Sequence, residues 1–229
     1  MTTVYYQQNS LPTAEWLLMQ YAAGALPPYE SMLVAAYLAL NHKAQHRFAA
    51  FEAEGGRMIE EEEPVAVTTA CLDSILAVIE PVARGAKAHP AAPRADGCTL
   101  PAIMHRLLAA HCPQQKRQWR QSSPGIAYID IQLCHTEPRR RRLALMRVDA
   151  KHAQPAYVRQ GLEITLVLEG SYNTGDQQYR TGDLVILDAR TPASSPYAGD
   201  EGCVCMVLTE ATARAENPLL QFFRSIWPR

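Results

Sequence analysis

The hydrophobic positions of the chain follow two different periods, and the change of period divides it into an N-terminal and a C-terminal half. In residues 13–80 apolar side chains recur three or four positions apart, which predicts amphipathic helices. The segment TAEWLLMQYAAG is one such helix, with Thr13 at its N-cap and Gly24 at its end. A second helical stripe begins in YESMLVAAYLALN, continues through Phe48 and is expected to end at residues 55–56.

A further amphipathic helix, TTACLDSILAVIEPVA, closes the helical half. Thr68 or Thr69 can cap it, and Pro81 is expected to end or kink it because proline removes a backbone donor. Its apolar face consists of Leu72, Ile75, Leu76 and Ile79. Such a face either packs on its own bundle or docks on a helical partner, and the pattern leaves both interpretations open.

Beyond about residue 117 the period becomes two, which predicts β-strands. The strand segments are GIAYIDIQL, RRRRLALMRV, EITLVLEGSY, QQYRTGDLVILD and GCVCMVLTEA. Short strands so densely separated by turn residues indicate a β-sandwich or a small barrel. The fold class is therefore α+β, with a helical domain in residues 1–81, an Ala-, Pro- and Gly-rich linker in 82–99, and a β domain in 100–229.

Composition narrows the functional classes without naming one. The chain has 22 Lys and Arg against 23 Asp and Glu, a net charge of −1, which gives no reason to expect nucleic acid or an anionic membrane as a partner. No secretory signal is visible, and the longest uncharged stretch, SMLVAAYLALNH, is too short to cross a bilayer. The six cysteines form no CxxC pair, which favours reduced thiols in a cytoplasm.

Both halves resemble one known family. The frame LEITLVLEGSY…YRTGDLVILDA…SPYAGDEGCVCMVLTEA resembles the C-terminal cupin domain, a double-stranded β-helix barrel, of ChrR-type anti-sigma factors. The segment TAEWLLMQYAAGALPPYESMLVAAYLALN resembles the helical anti-sigma domain of the same family. The resemblance implies a non-enzymatic regulator that sequesters an extracytoplasmic-function (ECF) sigma factor through its helical domain, while the cupin domain modulates release.

The resemblance also implies a zinc site in the helical domain, but the residues that should hold the ion are substituted. The family pattern of an early His followed by His-x-x-x-Cys-x-x-Cys falls on Leu11, Tyr37, Asn41 and Ala44. None of these is a usual zinc ligand. His42 and His46 lie nearby at a spacing of four, but two histidines do not close a tetrahedral site, so we expect them on the surface.

The metal site that the resemblance implies in the cupin domain is equally depleted. The pattern His-x-His-x-x-x-Glu falls on Tyr157, Arg159 and Glu163, and the third histidine position falls near Ala193 or Ser194. Only the glutamate remains. We predict that Arg159 neutralises Glu163 in a hydrogen-bonded ion pair and that no metal is bound in either domain.

Three other groups of residues could carry chemistry, and each has a simpler structural interpretation. Cys203 and Cys205 share a strand face and are expected to be small core residues. The arginines at 139–142 are expected at a solvated edge or turn. A third group, His105, His111 and Cys112, has unusual ligand spacing and favours a surface or interdomain position.

The leading hypothesis is thus a cytoplasmic anti-sigma factor that binds an ECF sigma factor through the Leu72, Ile75, Leu76 and Ile79 face, without zinc and without direct contact to nucleic acid or membrane. One alternative is a metal-free cupin sensor or enzyme whose pocket, lined by Tyr157, Arg159, Glu163 and Ser194 and by Tyr197, takes an anionic ligand. Another is a diverged paralogue that forms a homodimer through its cupin domain and binds no sigma factor.

Overall fold

The computed structural model describes residues 12–66, 68–85, 104, 118–132, 141–157, 159 and 161–210, with the backbone alone described at 69 and 79–85. Its helices are α1 (Ala14–Ala22), α2 (Pro28–Leu40), α3 (His42–Glu60) and α4 (Thr69–Gly85). Its strands are β1 (Arg120–Ser123), β2 (Ile126–Ile131), β3 (Arg141–Val148), β4 (Glu163–Thr174), β5 (Gln177–Arg180), β6 (Leu184–Leu187) and β7 (Tyr197–Glu210). Helices followed by strands confirm the predicted α+β class.

The helix ends agree with the sequence at both ends of α1, where Gly24 follows the C-cap with a φ of 65°, and differ at the end of the second helical stripe. Thr13 caps α1 as predicted, because its hydroxyl accepts a hydrogen bond from the Trp16 amide at 3.1 Å. The second helical stripe is two helices, since the chain leaves the helical conformation at Asn41. The expected end at residues 55–56 is wrong, because α3 continues to Glu60 with Arg57 paired to acidic side chains on both sides of it.

Pro81 was expected to end or kink its helix, and the first of these alternatives is wrong. The helix α4 continues four residues further, to Gly85. Proline removes one intrahelical hydrogen bond and disturbs the preceding turn, and here this local loss does not stop the helix. The predicted linker boundaries fall largely in residues outside the described part of the chain and stay predictions.

The strands form one antiparallel sheet in the order β1-β2-β3-β7-β4-β5, and β6 pairs with β4 beside it. The long strand β4 pairs with β7 along much of its length, with β6 at its start and with β5 at its end. The β4–β5 hairpin turns at Gly175, which has a φ of 57°, a conformation that glycine adopts without steric cost. The strand segments predicted in EITLVLEGSY and QQYRTGDLVILD are therefore confirmed, the first as β4 and the second as β5 and β6.

Alternation along the central strands gives the sheet two buried apolar faces. On the inner face of the barrel, Tyr128, Met146 and Cys205 lie in register across β2, β3 and β7, and all three are buried. The outer face carries the intervening residues and packs against the helices in one continuous core. This shared core includes Leu17, Leu33, Val34, Ile129, Leu145, Ile164, Leu166 and Met206.

Two polar contacts join α2 and its C-terminal end to the sheet. Glu30 on α2 forms an ion pair with Arg141 on β3, and the two side chains are only 1% and 8% exposed. Asn41 donates from Nδ2 to the Gly182 carbonyl at 2.9 Å. The expected solvated position of the arginine run is therefore wrong for Arg141, because β3 is an interior strand between β2 and β7 and its outer face meets a helix.

Within the described residues, no helix combines the length and the apolar character that crossing a membrane requires. The helix α4 is amphipathic but carries Asp73 and Glu80 among its 17 residues.

Candidate functional site

The four residues at the cupin ligand positions that the resemblance implies, three of them substituted, come together at the start of β4. Glu163, the first residue of β4, accepts hydrogen bonds from the Tyr157 hydroxyl at 2.8 Å to Oε1 and 3.0 Å to Oε2. Arg159 donates from Nε to Glu163 Oε1 at 3.1 Å. The predicted Arg159–Glu163 ion pair is thus confirmed, with both side chains at most 9% exposed.

Ser194 completes this cluster from the segment between β6 and β7. Arg159 donates from Nη2 to the Ser194 hydroxyl at 3.3 Å, and that hydroxyl lies 3.1 Å from the Thr174 hydroxyl at the end of β4. The guanidinium carbon of Arg159 lies 4.9 Å from the centroid of the Tyr157 ring, a cation–π distance. We call Tyr157, Arg159, Glu163, Thr174 and Ser194 the arginine cluster.

The electrostatics of the arginine cluster fix its protonation state. Burial raises the pKa of Tyr157 above its ordinary value of 10.0, and the neighbouring Glu163 carboxylate raises it further. The Tyr157 hydroxyl therefore stays protonated and donates a hydrogen bond to the Glu163 carboxylate. Burial, the largest single effect, would lower the pKa of Arg159, but Glu163, Tyr157 and Tyr172 together outweigh it and the pKa is raised. The cluster holds one positive and one negative charge that neutralise each other.

The donor set of the arginine cluster does not fit a metal ion. A transition-metal site needs three or more imidazole, thiolate or carboxylate ligands, and here Glu163 is the only one, with both oxygens engaged by Tyr157 and one also by Arg159. Arg159 places a positive charge within hydrogen-bonding distance of that carboxylate. Among all the described residues, no group of three His, Cys, Asp or Glu is placed to hold an ion.

Residues proposed at the edge of this site lie apart from it. The side chain of Tyr197 is 46% exposed, so its expected place in the barrel lining is wrong. Ala193 is exposed as well, and Ser194 is the residue that occupies the third position. Pocket roles for Tyr157, Arg159, Glu163 and Ser194 stay predictions.

The substituted positions of the helical half have packing and capping roles. Asn41 caps α3, because its Oδ1 accepts from the Ala44 amide at 3.0 Å while its Nδ2 binds Gly182. Ala44 is 2% exposed, and Tyr37 packs against the same core. Leu11 lies outside the described residues. His42 is exposed and contacts Gln45, and His46 is exposed too, as the sequence predicts.

The apolar face of α4 is open in the described chain. Leu72, Ile75 and Leu76 are 53%, 50% and 45% exposed, while the side chain of Ile79 lies outside the described residues. If α4 packed on its own bundle, these side chains would be covered. Their exposure therefore does not support packing on the bundle for these three residues. Their role in sigma-factor binding stays a prediction.

Three exposed apolar side chains that precede α4 in the chain were not predicted from the sequence. Met58, Ile59 and Val65 are 59%, 76% and 85% exposed at the end of α3 and in the segment that follows. These three apolar residues lie in the segment RMIEEEEPV. Its charged residues predict a solvated segment, in which apolar side chains have no structural reason and could have been noticed.

The remaining candidates carry no reactive chemistry in the described part of the chain. Cys203 and Cys205 are buried core residues, as predicted. The hydrogen bond with Cys203 and then burial raise the pKa of the Cys205 thiol, which keeps it protonated and a poor nucleophile. His105, His111 and Cys112 lie outside the described residues.

Asp130 on β2 predicts a specific pH dependence of stability. Burial raises its pKa from 3.8 to about 6, although Gln132, Arg142 and Arg120 partly oppose this. The folded chain therefore holds this proton more tightly than the unfolded chain, so stability falls as the pH rises from about 4 to about 6. We expect Asp130→Asn to melt roughly 2–5 °C above the wild type at pH 8 and to match it near pH 4.

Thermal melts of both proteins between pH 4 and 8 check this expectation. The difference between the two curves isolates Asp130 from the other acidic groups. A constant difference across the range would contradict a raised pKa for Asp130.

Comparisons with known proteins agree with the order of helices and strands in this fold. No family model matches the chain. The anti-sigma-E factor ChrR of Cereibacter sphaeroides is 29% identical over 199 residues, which make up 86% of this chain and 88% of that protein. The crystal structure of Rhodobacter sphaeroides SigE in complex with the anti-sigma ChrR superposes with a TM-score of 0.63 and 26% identity, covering 88% of this chain and 99% of that chain.

A solved RmlC-like cupin protein of Ralstonia eutropha also matches 48% of this chain, with 16% identity and a TM-score of 0.37. The two ChrR comparisons each span most of the chain, helices and strands together, and confirm the resemblance seen in the sequence. The chain is thus similar to the ChrR-type anti-sigma factors over most of its length, with a helical N-terminal half and a C-terminal cupin barrel.

Proposed function

We propose that this protein is an anti-sigma factor that binds an ECF sigma factor through its helical half and releases it on a signal. One observation carries the proposal: the apolar face of α4 is exposed in the described chain. A face of this kind is stabilised when an apolar groove of a helical partner covers it. The likeness to ChrR, whose solved complex contains SigE, supports a sigma factor as that partner.

Occlusion is sufficient for this function, and no catalytic step is required. An anti-sigma factor acts by covering the surface with which the sigma factor would meet RNA polymerase. Binding alone therefore explains the activity. We propose that the protein is not an enzyme and that it acts in the cytoplasm, where transcription takes place.

We further propose that sequestration does not require zinc. The contacts between α1 and α3 include the Tyr21 and Phe48 rings, whose centroids are 5.5 Å apart, and an ion pair between Glu15 and Arg47. Asn41 and Ala44 supply a helix cap and a buried contact where the family pattern has metal ligands. Packing and capping thus hold the helices that a zinc ion would otherwise join.

Coexpression tests the proposal directly. The full chain, carrying an affinity tag, is expressed with each ECF sigma factor of its own organism, and the captured complexes are washed in buffer with and without EDTA. We expect one sigma factor to copurify at about one equivalent and to remain bound in EDTA. Capture of no sigma factor would refute sequestration, whereas loss of a captured sigma factor in EDTA would refute only its independence of zinc.

A further inference from the structure

We infer that the Arg159 guanidinium is a built-in cation that takes the place of a metal ion in the cupin barrel, so that the barrel neither needs nor binds a divalent metal. The inference concerns the barrel and does not rest on the proposed sigma-factor binding. It accounts for the loss of all the histidine ligands together with the retention of Glu163.

The guanidinium joins the segments that a metal ion would join. Arg159 comes from the segment before β4, Glu163 is the first residue of β4, and Ser194 lies between β6 and β7. Arg159 reaches the carboxylate with Nε at 3.1 Å and the serine hydroxyl with Nη2 at 3.3 Å. Its N–H groups thus replace metal–ligand bonds with directed hydrogen bonds in a fixed planar geometry.

Neighbouring side chains complete the replacement. Tyr157 places its ring 4.9 Å from the guanidinium carbon and its hydroxyl on Glu163. Thr174 contacts the hydroxyl of Ser194 and so ties the serine to the end of β4. Every side chain in the arginine cluster therefore contacts another member, and the remaining buried Nη1 of Arg159 has no acceptor among the described residues.

The same arrangement opposes a divalent cation. A cation at Glu163 would have to displace the Tyr157 hydroxyl and would face the positive charge of Arg159 across a nearly dry site, since the Arg159 side chain is 1% exposed. Arg159 cannot relieve this repulsion by losing its proton, because arginine stays charged in proteins. The carboxylate is already neutralised by a cation that cannot leave.

Zinc binding to the full chain tests the inference. The wild type, Glu163→Gln and the triple variant Tyr157→His/Arg159→His/Ser194→His are dialysed against equal zinc concentrations, and bound metal is counted. We expect the wild type and Glu163→Gln to bind the same amount, because any zinc they hold lies elsewhere. The triple variant should bind about one equivalent more, since it presents three imidazoles and a carboxylate. If the wild type binds zinc and Glu163→Gln binds less, Glu163 is a zinc ligand and the inference is wrong.

A second measurement remains decisive where the triple variant fails to fold. We expect Arg159→Met to lower the melting temperature by about 10 °C, because it strands the Glu163 carboxylate in a buried site. The double variant Arg159→Met/Glu163→Gln should recover part of this loss. The control is Arg190→Met, in which the arginine lost is 64% exposed and Asp188 keeps its contacts with the Arg190 amide and Thr191, so the change should cost about 2 °C or less. Equal losses for Arg159→Met and Arg190→Met would overturn the structural role of the built-in cation.

Discussion

Replacing Arg141 by methionine should lower the free energy of unfolding by about 3–5 kcal/mol, the cost of leaving one partner of a buried ion pair without the other. Its partner Glu30 lies on α2 with a side chain only 1% exposed, so water cannot solvate the stranded carboxylate. Methionine keeps much of the apolar length of arginine, and the loss therefore reports the charge. Urea unfolding of the full chain at neutral pH measures the effect.

The control for Arg141→Met is Arg47→Met. Arg47 pairs with Glu15 at 2.9 Å, but both side chains are at least 60% exposed, so breaking this pair should cost no more than about 1 kcal/mol. The double variant Glu30→Gln/Arg141→Met should recover part of the loss, because it removes the buried negative charge. If Arg141→Met lowers the free energy of unfolding no more than Arg47→Met does, Glu30 is solvated and the expectation is wrong.

The Glu30–Arg141 pair also bears on how the two halves communicate. It crosses the shared core of helices and sheet, together with the hydrogen bond from Asn41 to Gly182. A change in the barrel that moves β3 would therefore displace α2, because breaking the pair exposes a buried charge on each side.

Local patterns in the sequence predicted the elements and several contacts within them. The periods of 3.6 and 2 located helices and strands, because burial of one face imposes that spacing. Thr13 was a recognisable cap, since a hydroxyl before an apolar helical run is the residue type that satisfies the free amides. The Arg159–Glu163 pair was predicted because the family resemblance places both residues at cupin ligand positions, four residues apart and with opposite charges.

Contacts between distant segments could not be read in the same way. Glu30 and Arg141 are more than a hundred residues apart, and neither a single glutamate after a proline turn nor an arginine in a run of four indicates a buried partner. The strand β1 has the sequence RQSS, without the apolar alternation that marks a strand, and forms because β2 offers it an edge. Periodicity also cannot distinguish an amphipathic helix whose apolar face is buried in its own bundle from one whose apolar face is exposed. The exposure of the α4 face was therefore known only from the structure.

Replacing Ile75 by aspartate should weaken sigma-factor binding at least about 100-fold, or roughly 2.7 kcal/mol, if the exposed face of α4 is the contact. Ile75 lies between Leu72 and Leu76 on that face and is 50% exposed in the described chain. A complex would bury it, and a buried carboxylate without a partner is far more costly than the lost methyl contacts. The free chain should keep its stability, because an exposed aspartate remains hydrated.

Ala77→Asp is the matched control, since it introduces the same charge two residues further along the same helix, about 200° around its axis from Ile75. Any loss of helix propensity or change in net charge affects both variants alike, so a difference between them measures the direction in which the partner lies. Calorimetric titration of each full-length variant with the copurified sigma factor gives the two dissociation constants. Equal affinities for Ile75→Asp and the wild type would place the contact elsewhere, and equal losses in both variants would indicate that α4 acts through its charge or its helicity and not through this apolar face.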